Sequence, residues 1–151
     1  MKHSLELLLR EPGLKLESCS NIYETNPVGG PEQDYFLNAC ISVKTGLAPV
    51  KLLQAMLAVE HKMKRVRTER WGPRIIDLDL LVYEGITVNT PVLQLPHPRL
   101  RERDFVLIPL ADIAPHLFIP GAHQTVEQIL AGRKKNPDVK FYCGRDWCNV
   151  P

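Results

Sequence analysis

Thirteen prolines are spread through 151 residues, and their spacing constrains the fold more than any other feature. Each lacks a backbone N–H and restricts the residue before it, which excludes a long-helix bundle or a coiled coil. The segments between them are short and mixed. Ser4 to Arg10 carries Leu5, Leu8 and Leu9 on one side and predicts a helix ended by Pro12-Gly13. Leu14 to Tyr23 reads as a strand, Glu24 to Asp34 (ETNPVGGPEQD) as an irregular loop, and Phe36 to Thr45 as a second strand. In that second strand Leu37, Ala39, Ile41 and Val43 form an apolar face opposite Phe36, Asn38, Cys40 and Ser42.

Pro49 suits a first helical position. Leu52, Leu53, Met56, Val59 and Met63 then recur at helical spacing, so a helix runs to about Lys62. Lys64 to Pro73 reads as a loop, Ile75 to Tyr83 as a strand, and Gly85 turns the chain into another strand around Ile86 to Asn89. Leu95-Pro96-His97-Pro98 is a forced bend. Arg101 to Ile113 suits a helix shortened or kinked at Pro109, and Thr125 with Gln128 resembles a capping box opening a last helix through Leu130. The tail carries no legible pattern from about residue 131. This order predicts an α+β fold with a largely antiparallel sheet, in one domain covering residues 1–151. Neither GxxxxGK[ST] nor a GxGxxG after a strand is present, so a nucleotide is not held by either familiar glycine loop.

With 44% hydrophobic and 24% charged residues, the chain can bury a core without disulfide staples. Cys19 and Cys40 read as small core residues, while Cys143 and Cys148 lack the partners of a zinc pattern. No apolar run approaches the roughly 18 residues of a membrane span. MKHSLELLLREPG does not read as a signal peptide, so the cytoplasm is the expected compartment. The net charge of +2 names no partner. It conceals an asymmetry: Lys62, Lys64, Arg65, Arg67, Arg70 and Arg74 stand against Glu69 alone. That segment carries +5, leaving −3 for the rest. Such a block is ordinarily a solvated face.

The string RWGPRIIDLDLLVY, Arg70 to Tyr83, gives the block a context. On a strand, Asp77 and Asp79 project from one face while Leu78, Leu80 and Val82 anchor the other. Paired carboxylates need a cation, and Mg²⁺ takes one or two carboxylates together with phosphates and waters. An isolated pair of this kind can equally be two solvated aspartates. Arg65, Arg67, Arg70 and Arg74 just upstream match phosphate oxygens bidentately, and metal beside phosphate is what phosphoryl transfer requires. Trp71 could be a clamp or an apolar plug. Phe36 and Asn38, sharing a strand face, offer an aromatic plane and a carboxamide to a flat heterocycle. His97, Arg101, Arg103 and Phe105 add cations and another ring.

Taken with YETNPVG (Tyr23 to Gly29), FLNA (Phe36 to Ala39) and PHPRLRERDFVLIPLADIAP (Pro96 to Pro115), this string closely resembles the 6-hydroxymethyl-7,8-dihydropterin pyrophosphokinase family of folate biosynthesis. The resemblance covers roughly Ser20 to Leu130. It implies a ferredoxin-like sheet and transfer of pyrophosphate from MgATP to the pterin hydroxymethyl group, releasing AMP. It implies that Asp77 and Asp79 hold two Mg²⁺ ions and that Arg65 and Arg67 lie on a catalytic loop closing over the triphosphate. Arg74, His97 and Arg103 match phosphate ligands; Glu60, Trp71 and Pro98 lie where the family holds ATP. Thr25 to Val28 matches backbone against the pterin, Asn38 the residue reading its edge, and Phe36 and Phe105 the rings that sandwich it. No side chain is implied as general base.

The family's N-terminal strand, ending in Gly-Ser-Asn, is expected to be missing here, since Met1 falls near the helix that follows it. The expected partners are pterin and ATP alone, with no nucleic acid or membrane and a monomeric chain. The rival reading is an inactive ferredoxin-like relative, or a module whose basic loop binds a phosphate backbone.

Overall fold

The computed structural model describes residues 1–26, 35–63 and 76–150. Helix α1 (Lys2–Leu8) is followed by β1 (Leu14–Cys19), β2 (Ile22–Thr25), β3 (Phe36–Asn38), β4 (Ile41–Thr45) and α2 (Pro49–Lys62). Next come β5 (Val88–Asn89), β6 (Gln94–Leu95), a 3-10 turn at Leu100–Glu102 and α3 (Asp104–Ile113). Then β7 (Phe118–Ile119), β8 (Gln124–Thr125), α4 (Val126–Ala131), β9 (Val139–Cys143) and a 3-10 turn at Arg145–Cys148 close the order. The strand pairs are antiparallel: β1 with β4, a three-stranded sheet ordered β3-β2-β9, and the ribbons β5–β6 and β7–β8. The α+β class expected from the sequence is the one observed.

Local signals translate directly into structure. Pro49 opens α2, and Leu52, Met56 and Val59 are buried as their spacing predicts. Both halves of the Thr125–Gln128 capping box form. Gly13, at φ +82°, turns α1 into β1 in a conformation only glycine adopts cheaply. Among the described residues no helix is long and apolar enough to cross a membrane.

Long-range contacts rearrange the rest. Each of the two long strands expected at Leu14–Tyr23 and Phe36–Thr45 breaks in the middle. There the fully buried Ser20 accepts at Oγ from Cys40 N (2.8 Å), and its own N donates to Cys40 O (2.9 Å). The interruption shifts the phase of alternation, so Leu37 is exposed, against the apolar face expected of it, while Cys40 is buried, as expected of a small core residue. Pro109 does not end α3, which continues to Ile113. Val106, Leu107, Pro109 and Leu110 all bury there, offsetting the cost of about 3 kcal/mol for an interior proline.

The strand expected over Ile75–Tyr83 is not one: among the described residues 76–82 join no ladder, and only Tyr83 bridges, to Ile86. The segment runs between two core clusters. Leu78, Leu80 and Tyr83 pack with Leu8, Leu14, Leu52, Met56 and Val59. Leu81 and Val82 pack instead with Cys40, Leu100, Leu107 and Ile119, so Val82 does not share the anchoring face of Leu78 and Leu80.

The tail is structured. β9 pairs with β2, Trp147 Nε1 donates to Ser20 O (2.9 Å), and Cys148 is disulfide-bonded to Cys19 with Cα atoms 6.6 Å apart. Cys19 is therefore buried but not a free core thiol. Its partner stands 129 positions away, beyond any local pattern.

Candidate functional site

The segment bearing Asp77 and Asp79 is anchored from α2. Glu60, buried on the last turn of that helix, accepts the Leu78 N–H at Oε1 (2.7 Å), between the two aspartates. Farther along, His97 N donates to Leu81 O (2.7 Å) and Tyr83 OH to Leu47 O (2.8 Å). With Leu78 and Leu80 turned into the core, Asp77 and Asp79 remain exposed. Among the described residues no group of three or more His, Cys, Asp or Glu side chains assembles that could hold a metal. Two carboxylates with no third such ligand among the described residues fit a hard ion such as Mg²⁺, whose other ligands are phosphates and waters.

Arg103 meets this segment. Its Nη1 lies 3.6 Å from Asp79 Oδ2, and its guanidinium sits over the Phe105 ring, 5.6 Å from Cζ to centroid. One cation thus joins a metal-type carboxylate to an aromatic face at the start of α3. His97 follows the Leu95–Pro96 bend, whose peptide is cis. Its Nδ1 accepts the Arg99 N–H (3.2 Å), which leaves the proton on Nε2 as a donor. Asp79, His97 and Pro98 line a cleft of about 370 Å³ with Leu53, Leu78, Leu80 and residues 90–94. The sequence marks Leu53 as part of the helical stripe but not as a site residue, and it marks the apolar loop Pro91, Val92 and Leu93 in neither way. The signal available for them is Val92, an apolar side chain left 74% exposed.

A third group forms where β2 and β3 pair. Tyr23 stands opposite Asn38 and Thr25 opposite Phe36. Asn38 Nδ2 donates to Thr25 Oγ1 (3.0 Å) and Phe36 O (3.2 Å), fixing the carboxamide plane. Phe36 is 41% exposed. Phe105 is on α3, which packs against both strands. The structure therefore brings together Asp79, Arg103, Phe105, His97 and Pro98, and separately Thr25, Phe36 and Asn38. Glu60 lies beneath Leu78 with its carboxylate bonded to backbone. Val28, Arg65, Arg67, Trp71 and Arg74 lie outside the described residues.

Comparison with known proteins gives a consistent result. A sequence model of the family described as 7,8-dihydro-6-hydroxymethylpterin-pyrophosphokinase matches residues 1–115. The 2-amino-4-hydroxy-6-hydroxymethyldihydropteridine pyrophosphokinase of Methylorubrum extorquens is 48% identical over 128 residues, 85% of this chain and 80% of that protein. Proteins of the same description from Synechocystis and Bacillus subtilis are each 42% identical. Those matches cover 78% of this chain and 60% of the first relative, and 75% and 68% for the second.

Proposed function

The chain belongs to the 7,8-dihydro-6-hydroxymethylpterin-pyrophosphokinase family, and from that premise we propose that it transfers pyrophosphate from ATP to 6-hydroxymethyl-7,8-dihydropterin in folate biosynthesis, with the following division of labour. The pterin lies at the β2–β3 edge. Phe36 and Phe105 take its two faces and Asn38 reads its amide edge, while Thr25 holds that carboxamide and the Thr25 to Val28 backbone completes the contact. The nucleoside of ATP occupies the cleft beside Pro98, with Trp71 and the Glu60 end of α2 as further walls. Arg103 and the Nε2–H of His97 face its phosphates, joined by Arg65, Arg67 and Arg74.

Asp77 and Asp79 hold two Mg²⁺ ions with the triphosphate, which when bound neutralise phosphate charge and lower the pKa of the pterin hydroxyl. The hydroxymethyl oxygen attacks the β-phosphorus, the bond from that phosphorus to the oxygen bridging the α-phosphorus breaks, and AMP leaves. The hydroxyl proton passes to solvent. Positioning and charge neutralisation carry the step, so no side-chain base is required.

The architecture is read as ferredoxin-like. Support comes from the antiparallel β1–β4 pair followed by α2, and from residues 76–80, which alternate exposed and packed without a ladder of their own. The β2–β9 pairing and the Cys19–Cys148 bridge support reading 1–151 as one domain. The reaction needs only pterin and ATP as partners, and a monomeric chain in the cytoplasm, where ATP is made, suffices for it.

The observation that carries this reading is the line Asp79–Arg103–Phe105, which sets a metal-type carboxylate, a phosphate-type cation and a stacking ring side by side. The test is AMP formation from MgATP with and without the pterin. Pterin-dependent AMP is expected, and Asp77→Ala or Asp79→Ala should lower it at least about a hundredfold while the fold persists. ADP as the product, or near-normal turnover in either variant, would overturn the assignment.

A further inference from the structure

Asp112 takes part in none of the contacts assigned above, yet its carboxylate gathers hydrogen bonds from both Asn21 and Tyr23. It accepts Asn21 N (3.0 Å), Asn21 Nδ2 (2.9 Å) and the Tyr23 hydroxyl, which lies 3.1 Å from Oδ1 and 3.0 Å from Oδ2. Asp112 is on α3, seven positions after Phe105, which places both on one face of the helix. Asn21 and Tyr23 precede and open β2, and Tyr23 stands directly opposite Asn38. The clip therefore runs from the helix that carries one ring of the proposed pterin sandwich to the hairpin that carries the other ring and the amide reader.

From this geometry we infer that Asp112 is a positioning residue for the pterin pocket, setting the gap between Phe105 on α3 and the Phe36–Asn38 edge. The inference rests on the assignment of that edge to the pterin. Charge-assisted bonds to a carboxylate are shorter and stronger than neutral ones, and three donors converging on one group leave it little freedom to shift. The tail reinforces the same point, since Arg145 Nη2 donates to the Asp112 carbonyl (2.8 Å). Burial, and next to it the Asp112 carboxylate, raise the Tyr23 pKa above its usual 10.0, which keeps the hydroxyl a donor; the Asn21 hydrogen bond and Arg145 oppose that shift. Nothing in the clip touches the cleft beside His97 and Pro98, so its loss should move pterin binding and leave ATP binding in place.

The experiment is steady-state kinetics with each substrate varied in turn, on Asp112→Ala, Tyr23→Phe, the double variant and Asn38→Ala. Asp112→Ala should raise the pterin KM about tenfold and Tyr23→Phe about threefold, with the ATP KM moving less than about twofold. The double variant should match Asp112→Ala alone, because the hydroxyl no longer has its acceptor. Pterin and ATP KM values rising in step, or an unchanged pterin KM, would overturn the inference. Where Asp112→Ala does not yield folded protein, Tyr23→Phe decides by the same criterion. Asn38→Ala separates the two levels. If it leaves the pterin KM unchanged, the pterin edge is wrongly placed and the inference falls with it. If it raises that KM while the Asp112 and Tyr23 variants do not, the inference alone fails.

Discussion

Arg103 lays its guanidinium over the ring of Phe105, with Cζ 5.6 Å from the centroid, while its Nη1 reaches to 3.6 Å from Asp79. The stack on the ring is made by a planar guanidinium, so lysine is not an equivalent here. Arg103→Lys is expected to lower kcat/KM for ATP about tenfold, and Arg103→Ala about a hundredfold. AMP formation at varied ATP checks this. Full activity in the lysine variant would mean that charge alone is used.

Glu60 is only 3% exposed and gives a carboxylate oxygen to the Leu78 N–H at 2.7 Å. Glu60→Ala removes the acceptor from a packed backbone segment and should cost about 1–3 kcal/mol in denaturant unfolding. Because Leu78 separates Asp77 from Asp79, turnover should fall by more than the loss of folded protein explains. Circular dichroism beside AMP formation separates the two effects.

The Cys19–Cys148 bridge closes a loop with a sequence separation of 129. On the chain-entropy account, cross-linking so long a loop stabilises by up to about 5 kcal/mol. A dithiol reductant should therefore lower Tm, and Cys148→Ser should reproduce the drop and abolish any further response to reductant. Calorimetry with and without the dithiol reads this directly.

Burial, and behind it the negative charge of Asp112, push the Cys40 thiol from 9.0 up to about 12. Below pH 9.0 the thiol keeps its proton folded or unfolded, so its contribution to stability is fully present. Between 9.0 and about 12 the unfolded chain loses the proton while the folded chain retains it. Stability then falls with rising pH by at most about 1.4 kcal/mol per unit. Cys40→Ala should show a shallower decline over that window in denaturant unfolding. Parallel curves would place the alkaline loss elsewhere.

What could be read from residue types is what depends on neighbours in sequence. Pro49, the Leu52–Met56–Val59 stripe and the Thr125–Gln128 box each act within one or two helical turns, and each formed as read. The exposed Asp77 and Asp79 over buried-side Leu78 and Leu80 also followed from alternation. Alternation failed at Leu37 and Cys40 because Ser20, from another strand, interrupts the ladder there. It could not tell that the Leu78 N–H would go to Glu60 and that the Leu81 carbonyl would accept from His97, in a segment that joins no ladder among the described residues. The bond that Glu60 accepts from Leu78 is likewise a tertiary relationship that no spacing encodes. Asp112 went unnoticed for the same reason: its donors come from Asn21 and Tyr23, about ninety positions earlier.

The strand β9 changes which main-chain edge of the three-stranded sheet is open. By pairing along Ile22 to Thr25 it turns β2 into an inner strand and covers a row of main-chain donors and acceptors. An uncovered row of that kind is a template on which another polypeptide can add. With β9 in place the outer edge carries the exposed Lys140, Phe141 and Tyr142. The segment with the least legible sequence thus makes an interior strand of the one that carries Tyr23 and Thr25.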